Sequence, residues 1–134
     1  MDFTEYNPKI LLIDDAKLDT TIFKLVIRKV LGKAEVSICE NGKVAIEFLQ
    51  GLTVNEPEKL PDFIFLDLRM PVMNGWEFLK KYESLKIDPL HKSKIYILSS
   101  SVDQTDVEKS IANPRVKDFL SKPIHMGKLQ SILK

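Results

Sequence analysis

Residues 63–79 read FIFLDLRMPVMNGWEFL. The first four, Phe63, Ile64, Phe65 and Leu66, are apolar without alternation, and the run is too short for a helix. That pattern fits a strand covered on both faces. Asp67 ends it. A turn containing Pro71 follows, Asn74 stands where an amino-terminal helix cap is expected, and Trp76, Leu79, Lys80 and Tyr82 to Leu85 recur at helical spacing. The stretch is a strand, a loop that opens on a carboxylate, and a helix.

The same alternation extends in both directions. Apolar runs at 9–13, 36–39, 95–98 and 116–120 predict four more strands. Helical spacing places Leu18, Ile22, Leu25 and Val26 on a first helix, Val44, Ile46, Phe48 and Leu49 on a second, Val107 and Ile111 on a fourth, and Met126, Leu129 and Leu133 on a fifth. Gly32, Gly51 and Asn113-Pro114 are the expected helix stops, and Asn41 and Asp103 further caps. Residues 52–60 and 87–94, with Pro57, Pro61 and Pro89 in or beside them, are expected to be surface loops. Right-handed crossovers then predict an α/β fold: a doubly wound five-stranded parallel sheet of flavodoxin-like order 2-1-3-4-5, with helices on both faces.

A length of 134 residues fits one domain over 1–134 and predicts no separate output domain. Apolar residues make up 44%, enough to bury a core. Twenty Lys and Arg against nineteen Asp and Glu leave a net charge of +1, which argues against nucleic-acid binding and directs attention to local charge. The single cysteine, Cys39, cannot form an internal disulfide, and the amino terminus is polar. No apolar run approaches the roughly 20 residues of a membrane helix. These features predict a cytoplasmic protein without a membrane partner.

In open parallel sheets, ligands bind outside the carboxyl ends of the strands. Here those ends are Asp14-Asp15, Asp67, Ser99-Ser100-Ser101 and Lys122-Pro123. Three carboxylates held together repel unless a cation intervenes, and a hard divalent ion such as Mg²⁺ takes oxygen ligands of this kind. Zinc fits poorly, because Cys39, His91 and His125 lack ligand-like spacing. With the ion in place a carboxylate can attack a phosphoryl group, and Asp67, on the most central predicted strand, is the candidate nucleophile. Lys122 and the Ser99 hydroxyl can neutralise charge on the transferred oxygens.

In this order, ILLIDDAK, FIFLDLRMPVMNGWEFL, ILSSS and FLSKPI resemble the receiver domains of two-component response regulators, especially stand-alone chemotaxis-type receivers. The resemblance covers nearly the whole chain. It implies that Asp67 accepts a phosphoryl group from a sensor histidine kinase or histidine phosphotransfer protein. It further implies that Asp15 binds Mg²⁺ directly, Asp14 chiefly through water, and that Asp67 and the Arg69 backbone carbonyl complete the ligands. Ser99 would hydrogen-bond a phosphoryl oxygen, Lys122 would pair with the phosphoryl group or the acceptor carboxylate, and Phe119 would be the switch aromatic. Arg69 and Ser101 occupy positions that tune phosphoryl lifetime; Arg69 either stabilises the phosphoryl charge or obstructs the attacking water. Ser99 stands where Thr is commoner and Phe119 where Tyr is commoner.

The implied function is a signalling switch rather than an enzyme, a monomer or weak dimer. Phosphorylation would change the face of the fourth helix, fifth strand and fifth helix, near Arg115, Lys117, Met126 and Lys128, toward a downstream protein not identified by sequence. Three rivals are weaker. A phosphatase using an aspartyl phosphate expects a second Asp where Arg69 stands. A flavin or nucleotide carrier expects a Gly-rich or hydroxyl-rich loop where Asp14-Asp15 stands. A scaffold that no longer cycles phosphate has no need of five competent site positions. The aromatics Phe48, Trp76 and Phe78 are read as packing, Cys39 as a buried small hydrophobe, and His125 as exposed at the start of the last helix.

Overall fold

All four side chains of the 63–66 run are buried. They form the middle strand of the computed structural model, which describes residues 6–100 and 103–134. The strands are β1 (Lys9–Ile13), β2 (Glu35–Cys39), β3 (Phe63–Leu66), β4 (Lys94–Ser99) and β5 (Val116–Ser121). They pair in parallel in the order β2-β1-β3-β4-β5. The chain therefore winds outward from β1 to β2, then crosses back to β3. Its topological switch point lies between the carboxyl ends of β1 and β3, where a crevice is expected.

The strand period of two divides the apolar residues between two cores. Leu11, Ile13, Ile64, Leu66, Ile95 and Ile97 face one side, together with Ala45, Ile46 and Leu49 of α2 (Gly42–Asn55) and Phe78, Leu79 and Tyr82 of α3 (Gly75–Ser84). Ile10, Leu12, Phe63, Phe65 and Leu98 face the other. There they meet Phe23, Ile27 and Val30 of α1 (Lys17–Leu31) and Leu129 and Leu133 of α5 (Met126–Leu133). The remaining helix, α4 (Gln104–Ala112), packs against β5. None of the described helices is long and apolar enough to cross a membrane.

The three expected caps form. Asn41 Oδ1 accepts from Val44 N at 2.9 Å, and Asp103 Oδ1 from Thr105 N at 2.9 Å. Asn74 and Glu77 make a reciprocal capping box at 2.9 and 3.0 Å. Gly32 ends α1 at φ +72°, a conformation side chains disfavour.

Gly51, expected as a helix stop, lies inside α2, which continues to Asn55. Leu52 packs on the core and the Thr53 hydroxyl accepts from Asp88 N at 3.3 Å, so tertiary contacts outweigh glycine's low helix propensity. The segment 52–60 is accordingly no simple loop: it finishes α2 and adds a 3-10 turn at Pro57–Lys59. The segment 87–94 also departs from a surface loop, because Ile87 and Asp88 are buried. The Asp88 carboxylate accepts from Tyr82 Oη (3.1 Å), Lys92 N (3.0 Å) and Ser93 N (2.8 Å), gathering the loop around itself. Phe48, read as packing, is 38% exposed, whereas Phe78 is fully buried.

Gly75, the first residue of α3, lies against the backbone that leaves β3. A Cβ there would stand 2.8 Å from Asp67 O and 2.9 Å from Leu68 Cα. Backbone cannot yield as a flexible side chain can. Gly75→Ala is expected to lower stability by about 2–3 kcal/mol in urea denaturation, the cost of overpacking. A loss under half a kcal/mol would show that α3 can move off the strand end freely.

Candidate functional site

Parallel pairing sets the site. Asp14 N donates to Cys39 O at 3.0 Å and Asp67 N to Ile13 O at 2.9 Å, so both residues continue the ladders just beyond their strands. Asp14 and Asp67 are buried, while Asp15 is exposed. One carboxylate oxygen from each of Asp14, Asp15 and Asp67 lies within 4.8 Å of the others. Asp14 also accepts from Ala16 N at 2.9 Å through Oδ1, tying the start of α1 to the site. Asp67 Oδ1 accepts from Arg69 N at 3.3 Å.

Lys122 enters from the end of β5. Its backbone N–H donates to Ser99 O at 2.9 Å, and its peptide bond to Pro123 is cis. The ammonium reaches Asp14 Oδ2 at 2.7 Å, Asp19 Oδ2 at 2.8 Å and Asp67 Oδ2 at 3.4 Å. Burial penalises this cation, but the hydrogen bonds it donates to Asp14 and Asp19 and the charges of Asp67 and Asp14 outweigh the penalty and raise its pKa. Lys122 is therefore an ammonium at any physiological pH. Burial also pushes the Asp67 carboxyl above its ordinary range; Lys122 pulls it back, Asp14 pushes it further, and Arg69 N–H and the Lys122 hydrogen bond lower it in part. A carboxylate whose ionised form is disfavoured is more basic, and gains from any added cation.

The oxygen set suits a hard divalent ion. Among the described residues the only His, Cys, Asp and Glu cluster of metal-ligand geometry is this all-carboxylate one, which excludes the nitrogen and sulfur donors of a zinc site. The exposed position of Asp15 leaves room for the waters that Mg²⁺ retains. The residues therefore fit Mg²⁺.

Ser99 is fully buried beside Lys122. Phe119 is half-buried, pairs with Ile97 across β4 and β5, and packs on the core of the α2 and α3 face. Ser101 lies outside the described residues. The Arg69 guanidinium points to α4, where its Nη2 meets Asp106 Oδ2 at 2.8 Å. Arg115, immediately before β5, lies 5.1 Å from the Tyr82 ring and 3.8 Å from Glu83, both on α3.

Two functional neighbours were not found from sequence. Asp19, in the first turn of α1, holds Lys122; its signal was an acid one helical turn beyond the Asp14-Asp15 pair. Asp106 accepts from both Arg69 and, at 3.2 Å, Trp76 Nε1; with partners 37 and 30 residues away, no local signal existed.

A buried carboxylate after the middle strand, two further carboxylates beside it and a lysine, all at the switch point of a 2-1-3-4-5 sheet, are the arrangement expected of a receiver. The response regulator receiver domain model matches residues 10–134, and the chain belongs to that family. It is 31% identical to the chemotaxis protein CheY of Thermotoga maritima over 93% of each chain. It is 29% identical to the rice two-component response regulator ORR1, covering 94% of this chain and about half, 54%, of that protein's length. A solved two-component response regulator from Cytophaga hutchinsonii superposes with a TM-score of 0.85 at 30% identity, covering 94% of each chain.

Proposed function

We propose that this chain is a Mg²⁺-dependent phosphoacceptor switch in two-component signalling, with Asp67 as the acceptor. The observation that carries the reading is the convergence on Asp67 of two further carboxylates and the Lys122 ammonium in a crevice where Asp67 itself is 5% exposed. The donor is a histidine kinase or histidine phosphotransfer protein. An Asp67 oxygen attacks phosphorus, the phosphorus–nitrogen bond of the donor breaks, and its electron pair returns to the imidazole, which takes up a proton.

Asp14, Asp15, Asp67 and the Arg69 carbonyl would hold Mg²⁺, which neutralises charge as the phosphoryl group arrives. Lys122 offers the group a second cation and Ser99 a hydroxyl donor. The added charge of about −1.5 to −2 draws these residues inward. Phe119, half-buried on the edge strand β5, carries the change to the face of α4, β5 and α5 and to a downstream protein. The cytoplasm is the compartment that fits a buried free cysteine and a kinase donor.

Intact mass after incubation with acetyl phosphate is the test. The protein is expected to gain one phosphoryl group with Mg²⁺ present and none in EDTA. Beryllofluoride, a stable phosphoryl mimic, should bind under the same Mg²⁺ requirement. Failure of both would remove the phosphoacceptor reading.

A further inference from the structure

Arg69 belongs to two structures at once. Its backbone N–H donates to the Asp67 carboxylate at 3.3 Å, and its guanidinium grips Asp106 on α4 at 2.8 Å. The Arg69 side chain is 66% exposed, so packing does not fix it, whereas the Asp106 side chain is 9% exposed. Asp106 lies in the first turn of α4 and also accepts from Trp76 Nε1 of α3 at 3.2 Å. The Lys109 ammonium stands 4.6 Å from the centre of the Trp76 ring. A single residue thus links the acceptor to the helix nearest β5, through a pair whose two halves differ sharply in burial.

We propose that Asp106 and the phosphoryl group compete for the Arg69 guanidinium, so that Arg69 leaves α4 to become a further phosphoryl-binding residue when Asp67 is modified. The inference rests on the reading of Asp67 as the phosphoacceptor. Because the Arg69 backbone already touches the acceptor, rotation about its side-chain torsions brings the guanidinium onto the new group. A phosphoryl group carries more charge than the single charge of Asp106 and accepts the guanidinium fork in bidentate fashion. Breaking the exposed half of the old pair costs little. The buried half behaves differently, since a desolvated carboxylate that loses its cation is strongly disfavoured until water reaches it. The first turn of α4 must then shift outward, and the Trp76 hydrogen bond shifts with it.

Beryllofluoride binding in Mg²⁺, read by calorimetry on wild type, Asp106→Asn, Arg69→Ala and the double variant, tests the competition. Asp106→Asn removes the competitor and keeps the shape, so affinity is expected to rise about fivefold, a coupling of ordinary allosteric size. Arg69→Ala keeps the backbone carbonyl but removes the guanidinium, and affinity is expected to fall about tenfold. The double variant should match Arg69→Ala, because without the arginine nothing is left to compete for. An Asp106→Asn protein that binds no more tightly than wild type overturns the inference alone, as does an Asp106 effect that persists without Arg69. Wild type that binds no beryllofluoride overturns this inference, and if it also gains no mass from acetyl phosphate the phosphoacceptor reading falls with it. Should Asp106→Asn fail to fold, fluorescence of Trp76, the single tryptophan, decides. Unloaded Arg69→Ala should then emit as the loaded wild type does; emission matching unloaded wild type overturns the exchange.

Discussion

Lys122→Ala is expected to melt roughly 10 °C below wild type in EDTA, and to recover most of that gap in Mg²⁺. The ammonium stands within 3.4 Å of Asp14, Asp19 and Asp67, and removing it leaves three carboxylates crowded together. Loss of one partner from a buried ion pair costs about 3–5 kcal/mol. Here the Lys122 side chain is 14% exposed and that of Asp19 40%, so water screens part of the repulsion and about 2–3 kcal/mol remains. In a domain of this size each kcal/mol moves the melting temperature by about 4 °C. Magnesium supplies the missing positive charge, and a ligand at a hundred times its dissociation constant adds about 2.7 kcal/mol. The variant should gain more from the ion than wild type does, since no ammonium then competes for the same oxygens. Equal melting of the two proteins in EDTA would show that Lys122 does not hold the acids together.

Asp67→Ala should gain no phosphoryl mass from acetyl phosphate and Mg²⁺ under conditions that label wild type. Asp14 and Asp15 remain in that variant, so residual labelling would mean that one of them is the nucleophile. Asp67→Asn makes a second, opposite statement about stability. Burial raises the Asp67 pKa in the folded state, so folding favours the protonated acid. Its favourable contribution is fully present below the unfolded pKa and is lost as pH rises through the folded value. At neutral pH in EDTA the ionised carboxylate is therefore a burden, and Asp67→Asn should melt above wild type. The difference between the two melting curves should shrink as pH falls through the acid range. Magnesium should narrow or reverse it at neutral pH, because only wild type keeps the third carboxylate. An Asn variant less stable than wild type in EDTA at every pH would contradict the unfavourable burial of Asp67.

The sheet was legible because its strands are short apolar runs whose pattern does not depend on distant partners. The site was legible for a related reason. Acidic, hydroxyl and lysine residues stand directly after those runs, and parallel topology sends all such ends to one edge. What escaped sequence reading depended on packing across the fold. Gly51 continues a helix because Leu52 and Thr53 have partners beyond it. Asp88 reads as a loop acid, yet its loop closes around it. Asp19 and Asp106 are ordinary first-turn acids until β5 delivers Lys122 to one and the β3–α3 loop delivers Arg69 to the other.

The Asp88 loop lies at the amino edge of the sheet, opposite Asp67. Two backbone amides and a tyrosine hydroxyl hold its carboxylate, and neutral donors of that kind are insensitive to ionic strength and to divalent ions. The carboxyl edge is instead held by charges that any arriving cation or phosphoryl group must rearrange. The molecule thus has a fixed end and a responsive end, joined by a stiff sheet. A displacement started at Asp67 has something to push against, and so is spent on the helices flanking the site instead of on tilting the whole domain.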